Sequence, residues 1–326
     1  MIRPPALALA VALALALAFA LAGSVSTARA EPVTVGMFTP GAPFPSTAAR
    51  VELAARLGEH LGRALGATPA GIGRAYVRAS DFAAAVRAGE VPVALVDAAY
   101  LASVGGAAGG YTVIAVAARG GDPAQPWQVL ARAGTRTIAE LRGKRVLVPG
   151  NGGREADLVL NALLGGAERD LFGKIEAAPD AASAAAALGL GKADAAIVPT
   201  GVEPPAGTVQ VAALPALPGP VLVAYGAVSA ARRAELLRAA QSFQGDATIS
   251  ALIAPTAPTA PTAPRAPGDA SADPVRAFAR RLAAPAKRGP MLVPAVRVVA
   301  GDLLEGRALA IERTPASAFA IAPGAR

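Results

Sequence analysis

The chain contains no cysteine in 326 residues. It therefore has no disulfide, no thiolate nucleophile and no lipidated cysteine. It has one histidine, His60. One imidazole without a thiol excludes the usual zinc ligand sets and any Cys/His nucleophile. A Ser/His/Asp triad would have to use His60, which lies between Glu59 and Leu61 in a helical pattern. A solvated helix position is expected for it. No H-E-x-x-H, P-loop or dinucleotide fingerprint stands in a strand–turn–helix context. No catalytic residue, metal ligand or cofactor is expected, and the chain does not read as an enzyme.

Aromatic residues make up 4% of the chain and charged residues 17%. A nucleic-acid surface wants a dense basic stripe interleaved with aromatics, so no nucleic-acid partner is expected. The net charge of +8 is spread without a Lys/Arg block. Such mild basicity gives at most a weak attraction for anions.

Residues 1–30 have the layout of a secretory signal peptide: Arg3, an unbroken apolar run over 6–22, and Ala28-Arg29-Ala30 as an A-x-A cleavage site. A membrane anchor is the alternative, since the run nearly reaches spanning length. Cleavage leaves residues 31–326, free in the periplasm, and lowers the charge by the two arginines Arg3 and Arg29.

Strand and helix patterns then alternate. Residues 33–38 (VTVGMF) form a first strand and 48–65 a helix with apolar spacing at Val51, Leu53, Leu57, Leu61 and Leu65, stopped by Gly66. Residues 74–77 are a short strand, Ser80-Asp81 cap a helix, and 91–96 (VPVALV) is a buried-type strand. Strands follow at 112–118, 127–131, 146–148, 174–177, 193–198, 209–213 and 221–228. Helices are expected at 137–141, after Gly153, at 180–188 behind Asp180, and at 230–243. This alternation specifies an α/β fold with helices covering the sheets. Residues 254–267 (APTAPTAPTAPRAP) form an extended, semi-rigid linker. Beyond it lie one helical piece (274–282) and two strand-like pieces (293–299 and 308–312).

The richest stretch is 135–164, TRTIAELRGKRVLVPGNGGREADLVLNALL. A buried strand feeds a glycine loop and a helix start, which is where backbone N–H groups can face an anion. Together with VTVGMFTP, SDFAAAVRAGEVPVALVDAAYL and AAAALGLGKADAAIVP, in this order behind a signal peptide, it resembles the periplasmic substrate-binding proteins of ABC transporters, in the phosphate/phosphite/phosphonate branch. The resemblance covers roughly residues 33–243. It implies a type 2 periplasmic binding fold of two α/β lobes, each a mostly parallel sheet flanked by helices, with the ligand cleft between them. Lobe one would be 31–118 plus 221–251, lobe two 119–220, the linker 252–267 and a C-terminal extension 268–326. It implies a monomer that captures a small anionic, phosphonate- or phosphate-like solute by hinge closure. The solute would pass to an ABC permease, the only route of membrane contact. A binding-protein-like sensor or interaction module without a transport role is the alternative.

The candidate ligand residues lie at strand ends. Gly150, Asn151, Gly152, Gly153 and Arg154 form either an anion cradle or a plain strand-to-helix turn. The family's hydroxyl side chains are missing there, but the N–H groups remain. Arg154 either adds charge to the cradle or is a solvated helix-start residue, against the dipole. Phe38 and Thr39 end strand one at a carboxyl edge, where open α/β sheets bind ligands. Asp97 and Tyr100 follow the next buried strand. Asp97 either contacts ligand or caps its turn, and Tyr100 matches the family's aromatic position.

Overall fold

Apolar strands with no polar face must be covered on both sides, and the strands at 93–96, 195–199 and 221–225 are of that kind. The computed structural model describes residues 33–67, 69–104, 110–255, 274–283, 296–297 and 312–313. The expected signal segment, most of the linker and most of the extension lie outside the described residues.

The first sheet contains β1 (Thr34–Phe38), β2 (Ile72–Ala75), β3 (Val93–Val96), β4 (Tyr111–Ala118), β10 (Val221–Tyr225) and β11 (Ala251–Ile253), in the order β11-β4-β10-β3-β1-β2. The second contains β5 (Ala124–Arg132), β6 (Arg145–Pro149), β7 (Lys174–Ala178), β8 (Ala195–Pro199) and β9 (Thr208–Pro218), in the order β7-β6-β8-β5-β9. Each sheet has three parallel strands and is antiparallel beyond them. The sheets are thus mixed, where a mostly parallel arrangement was expected. The returning strand β10 inserts between β3 and β4 with the opposite sense, and β5 and β9 are the two chain segments that enter and leave the second sheet.

The chain passes between the sheets twice, at 119–123 and 219–220. The two passages are bonded to one another: Gly219 N–H donates to Pro123 O (2.8 Å) and Ala117 N–H to Pro220 O (2.8 Å). They form a two-stranded hinge.

Helix α1 (Thr47–Ala64) starts at Ser46, whose hydroxyl accepts from Ala49 N–H at 3.1 Å. Its buried face is Leu53, Ala54, Leu57, Gly58, Leu61 and Gly62. Gly58 and Gly62 meet Gly71 and Gly73 of the neighbouring strand region almost backbone to backbone. A Cβ on Gly73 would lie 1.7 Å from Ala54 O. That contact places β2 at Ile72–Ala75, two residues earlier than the apolar pattern alone indicated.

Helix α2 (Ala79–Arg87) begins one residue ahead of Ser80, and its cap residue Arg78 makes no side-chain cap bond. Helix α3 (Ala98–Val104) follows β3 directly. After β6 come a short α4 (Glu155–Asp157) and a fully buried π-helical turn, Leu158–Leu163. α5 (Ala181–Gly189) starts at Asp180, which accepts from Ser183 N–H at 2.8 Å. α6 (Ala230–Gln241) closes the first sheet. His60 is not a solvated residue: its Nε2 lies 2.8 Å from Ala239 O and 3.1 Å from Ser242 Oγ, joining α1 to the end of α6. The helix α7 (Pro274–Ala283) packs back on the body, and β12 (Val296–Arg297) pairs antiparallel with β13 (Glu312–Arg313). No described helix is long and apolar enough to cross a membrane.

Candidate functional site

The two sheets face each other across the hinge, and the carboxyl ends of β1, β3, β6 and β8 bring loops of both to one boundary. That boundary is closed. Ala181 N–H donates to Pro40 O at 3.0 Å, and Ser103 Oγ donates to the Asn151 carbonyl. The Arg50 guanidinium, 2% exposed, lies 3.5 Å from Asp180. Gly41 packs under the ring of Trp127, and Gly152 lies against the ring of Tyr100.

Asp97 and the first two residues of the glycine loop share one space. Asp97, Gly150 and Asn151 line a gap of about 20 Å³ with Trp127 and Gln125, room for about one water. Asp97 accepts the Gly41 N–H at 2.6 Å. Burial pushes its carboxyl up to about 7, against the opposing pull of that amide and of Arg50. Thr39 is fully buried beside β1, and its Oγ1 has no hydrogen-bond partner.

The other expected residues sit elsewhere. Phe38 and Tyr100 are core residues, 2% and 3% exposed, with ring centroids 4.8 Å apart and Phe82 against both. Burial raises the Tyr100 phenol above its ordinary range. Gly152 and Gly153 both take positive φ, which glycine allows without strain.

The loop amides that resemble a cradle are already occupied. The Glu155 carboxylate accepts from Asn151 N–H (2.9 Å) and Gly153 N–H (3.1 Å), and Asn151 Oδ1 accepts from Arg154 N–H (3.2 Å). This is a self-capped helix start. Arg154 turns along its own helix to Asp157, at 2.8 Å.

A larger opening lies at the hinge. A cavity of about 430 Å³ is bounded by both chain passages and by loops from each sheet, including Ala42, Gln125, Thr200 and Thr248. Arg119 and Asp122 stand at its edge, bridged backbone to backbone. Asp122 Oδ1 is used by the Ala124 N–H at 2.8 Å. The Arg119 side chain makes no hydrogen bond or ion pair among the described residues. Its Nη1 lies so close to Gly201 that a Cβ there would be 2.2 Å away. The guanidinium thus reaches over the boundary between the loop after β1 and the loop after β8. In the sequence Arg119 is only the first residue of the expected lobe two; nothing local in ARGGD distinguishes it. Among the described residues no group of acidic or histidine side chains is placed to hold a metal.

The family model described as NMT1/THI5 like matches residues 74–216. No curated protein matches the chain. Several solved structures share its architecture. XAC2383 from Xanthomonas citri, bound to ATP, superposes with a TM-score of 0.55 at 12% identity, over 77% of this chain and 97% of that one. PhnD1 from Prochlorococcus marinus, in complex with methylphosphonate, gives 0.54 at 12% identity, over 69% and 92%. A binding protein component of an ABC phosphonate transporter from Pseudomonas aeruginosa gives 0.53 at 12% identity, over 69% and 81%. With its two mixed sheets, its paired passages and these superpositions, the chain has the two-lobed fold of the type 2 periplasmic binding proteins.

Proposed function

We propose that this chain is the solute-binding component of an ABC transporter, exported to the periplasm, where it captures a small anionic solute between its lobes and presents it to a permease. Lobe one is 31–118 with 221–251, and lobe two is 119–220. The observation that carries the reading is the 430 Å³ cavity at the hinge, bounded by both lobes, with the Arg119 guanidinium unpaired at its edge. An unpaired guanidinium offers a planar donor fork that suits carboxylate, sulfonate or phosphonate oxygens. Ala, Pro, Gly and Ile together form most of the walls, so a compact acid with a short apolar body fits better than a bare, fully hydrated ion. Thr200, Thr248 and Gln125 supply neutral polar contacts. The glycine loop 150–154 serves lobe closure in this reading, because Glu155 fills its amides.

A thermal-shift panel on residues 31–326 tests this, using short carboxylates, alkyl sulfonates, methylphosphonate, phosphate and sulfate. A ligand at 100 times its Kd stabilises by about 2.7 kcal/mol. The expected outcome is a shift with at least one compact organic anion, lost in Arg119→Ala and kept in Arg154→Ala. No shift across the panel, or a shift that Arg119→Ala leaves intact, contradicts the reading. The first of those results would favour the sensor or interaction module, for which the docked C-terminal helix is the supporting observation.

A further inference from the structure

Arg119 does not stand alone in the hinge cavity. Asp122 also lines it, and among the described residues no third charged side chain does. The two residues close a two-residue turn. Arg119 N–H donates to Asp122 O at 2.9 Å and Asp122 N–H to Arg119 O at 3.2 Å, with Gly120 and Gly121 between them at φ 60° and 87°. Residues directly opposite one another in an antiparallel pair send their side chains to the same face. A guanidinium and a carboxylate so placed ordinarily close on each other. Here no ion pair joins them, and neither pairs with another charged side chain among the described residues.

Each has been given a different neighbour. Asp122 Oδ1 accepts the Ala124 N–H at 2.8 Å, which fixes the carboxylate, while Oδ2 has no partner among the described residues. The Arg119 guanidinium reaches instead to Gly201, against which Pro43 also packs. Gly201 does not take positive φ, so its missing side chain provides room for these neighbours, not a special backbone conformation. The turn itself is pinned: Gly120 N–H donates to Ser250 Oγ at 2.8 Å, and Ser250 Oγ donates to Ala118 O at 2.9 Å. The cavity thus offers one fixed, free acceptor and one free donor fork, held apart, and its lining has no net charge. A bare anion on Arg119 gains one attraction and meets one repulsion. A solute that carries its own cation satisfies both groups, and it leaves no uncompensated charge when the lobes exclude water.

We propose that the solute is a zwitterion, a short amino acid in the general chemical sense, whose acidic head takes the Arg119 guanidinium and whose protonated amine donates to Asp122 Oδ2. This rests on the hinge cavity being the solute site, and it adds the charge class of the solute to that reading. Asp122 is then the residue that selects amine-bearing acids over plain ones. The acidic head is carboxylate, sulfonate or phosphonate, since the planar donor fork of Arg119 suits each of them.

Matched pairs of acids test it by isothermal titration calorimetry on residues 31–326: propionate against β-alanine, ethanesulfonate against taurine, and ethylphosphonate against 2-aminoethylphosphonate. In at least one pair the amine-bearing member should bind at least ~10-fold more tightly, the size of one charge-assisted hydrogen bond. Asp122→Asn keeps an oxygen for the Ala124 N–H and removes the charge, and it should bring that ratio below ~3-fold. Plain acids that bind as well as their amine partners in every pair overturn the inference and leave anion capture at Arg119 standing. That comparison uses the parent chain alone, so it decides the matter even if Asp122→Asn fails to fold. A preference that survives in a folded Asp122→Asn chain also overturns the inference. Binding by none of these compounds overturns the inference and the solute-capture reading together.

Discussion

Asp97 is a carboxylic acid held between two lobes, 9% exposed, with its carboxyl pushed up to about 7 by burial. Its folded-state pKa lies above its ordinary 3.8, so between those values the folded chain holds a proton that the unfolded chain releases. The stability this contributes is complete below the ordinary pKa. It falls as pH rises through the window and is gone above about 7. The size is on the order of 4 kcal/mol across the window. Asp97→Asn keeps an acceptor for the Gly41 amide and removes the proton. Urea denaturation of both chains from about pH 4 to about pH 8 checks it, read as the difference between them. The variant should gain on the parent as pH rises; a constant difference contradicts the assignment. Charge state at single residues was the least legible property of the sequence. Asp97 was visible as a strand-end acid, but its Gly41 partner lies 56 residues away. Arg154 stood out beside the glycines, yet Asp157 and the Glu155 cap occupy that loop. Arg119 gave no local signal, because what distinguishes it is a cavity made by the far passage at 219–220.

At the scale of elements, much was legible where the cause is local. The apolar spacing of α1, the Asp180 cap of α5, the fully buried strands β3 and β8 and the buried run Val221–Ala224 of β10 all follow from periodicity and capping. What escaped depends on neighbours: the glycine contact that sets β2, the π-helical turn, and the landing place of α7. The glycine contact is open to test. Gly73→Ala puts a methyl where Ala54 O stands and should destabilise by about 2 kcal/mol or more in chemical denaturation. A loss under about 0.5 kcal/mol would mean that α1 and β2 are not so close. Asp180 has two duties, as the cap of α5 and as the partner of buried Arg50. Asp180→Asn keeps a capping oxygen and strips the charge, leaving Arg50 unpaired; Asp180→Ala loses both. Breaking a buried pair costs about 3–5 kcal/mol, and losing a cap about 1 kcal/mol more. Both variants should fall well below the parent, with Asp180→Ala lower. Near-parent stability in Asp180→Asn would show that the pair across the lobes contributes little.

The whole molecule is two mixed sheets on a paired hinge, shut by contacts of three kinds. Backbone and charge join Pro40 and Arg50 to the start of α5; packing joins Gly41 and Tyr100 to Trp127 and Gly152; α7 lies across both lobes. The α/β class was legible because strand and helix alternate along the sequence, and the two-lobed organisation was expected from the resemblance to the binding-protein family, with β10 as the returning apolar strand. The location of the open space was not legible, since it exists only once both passages are in place. The central claim is that solute binds at the hinge against Arg119, and a crystal structure with the anion giving the largest thermal shift tests it most directly. The expected density for its acidic head lies within hydrogen-bond distance of the Arg119 guanidinium, near Thr200 and Gln125. Density at residues 150–154, with the Glu155 carboxylate displaced from the amides, would contradict it.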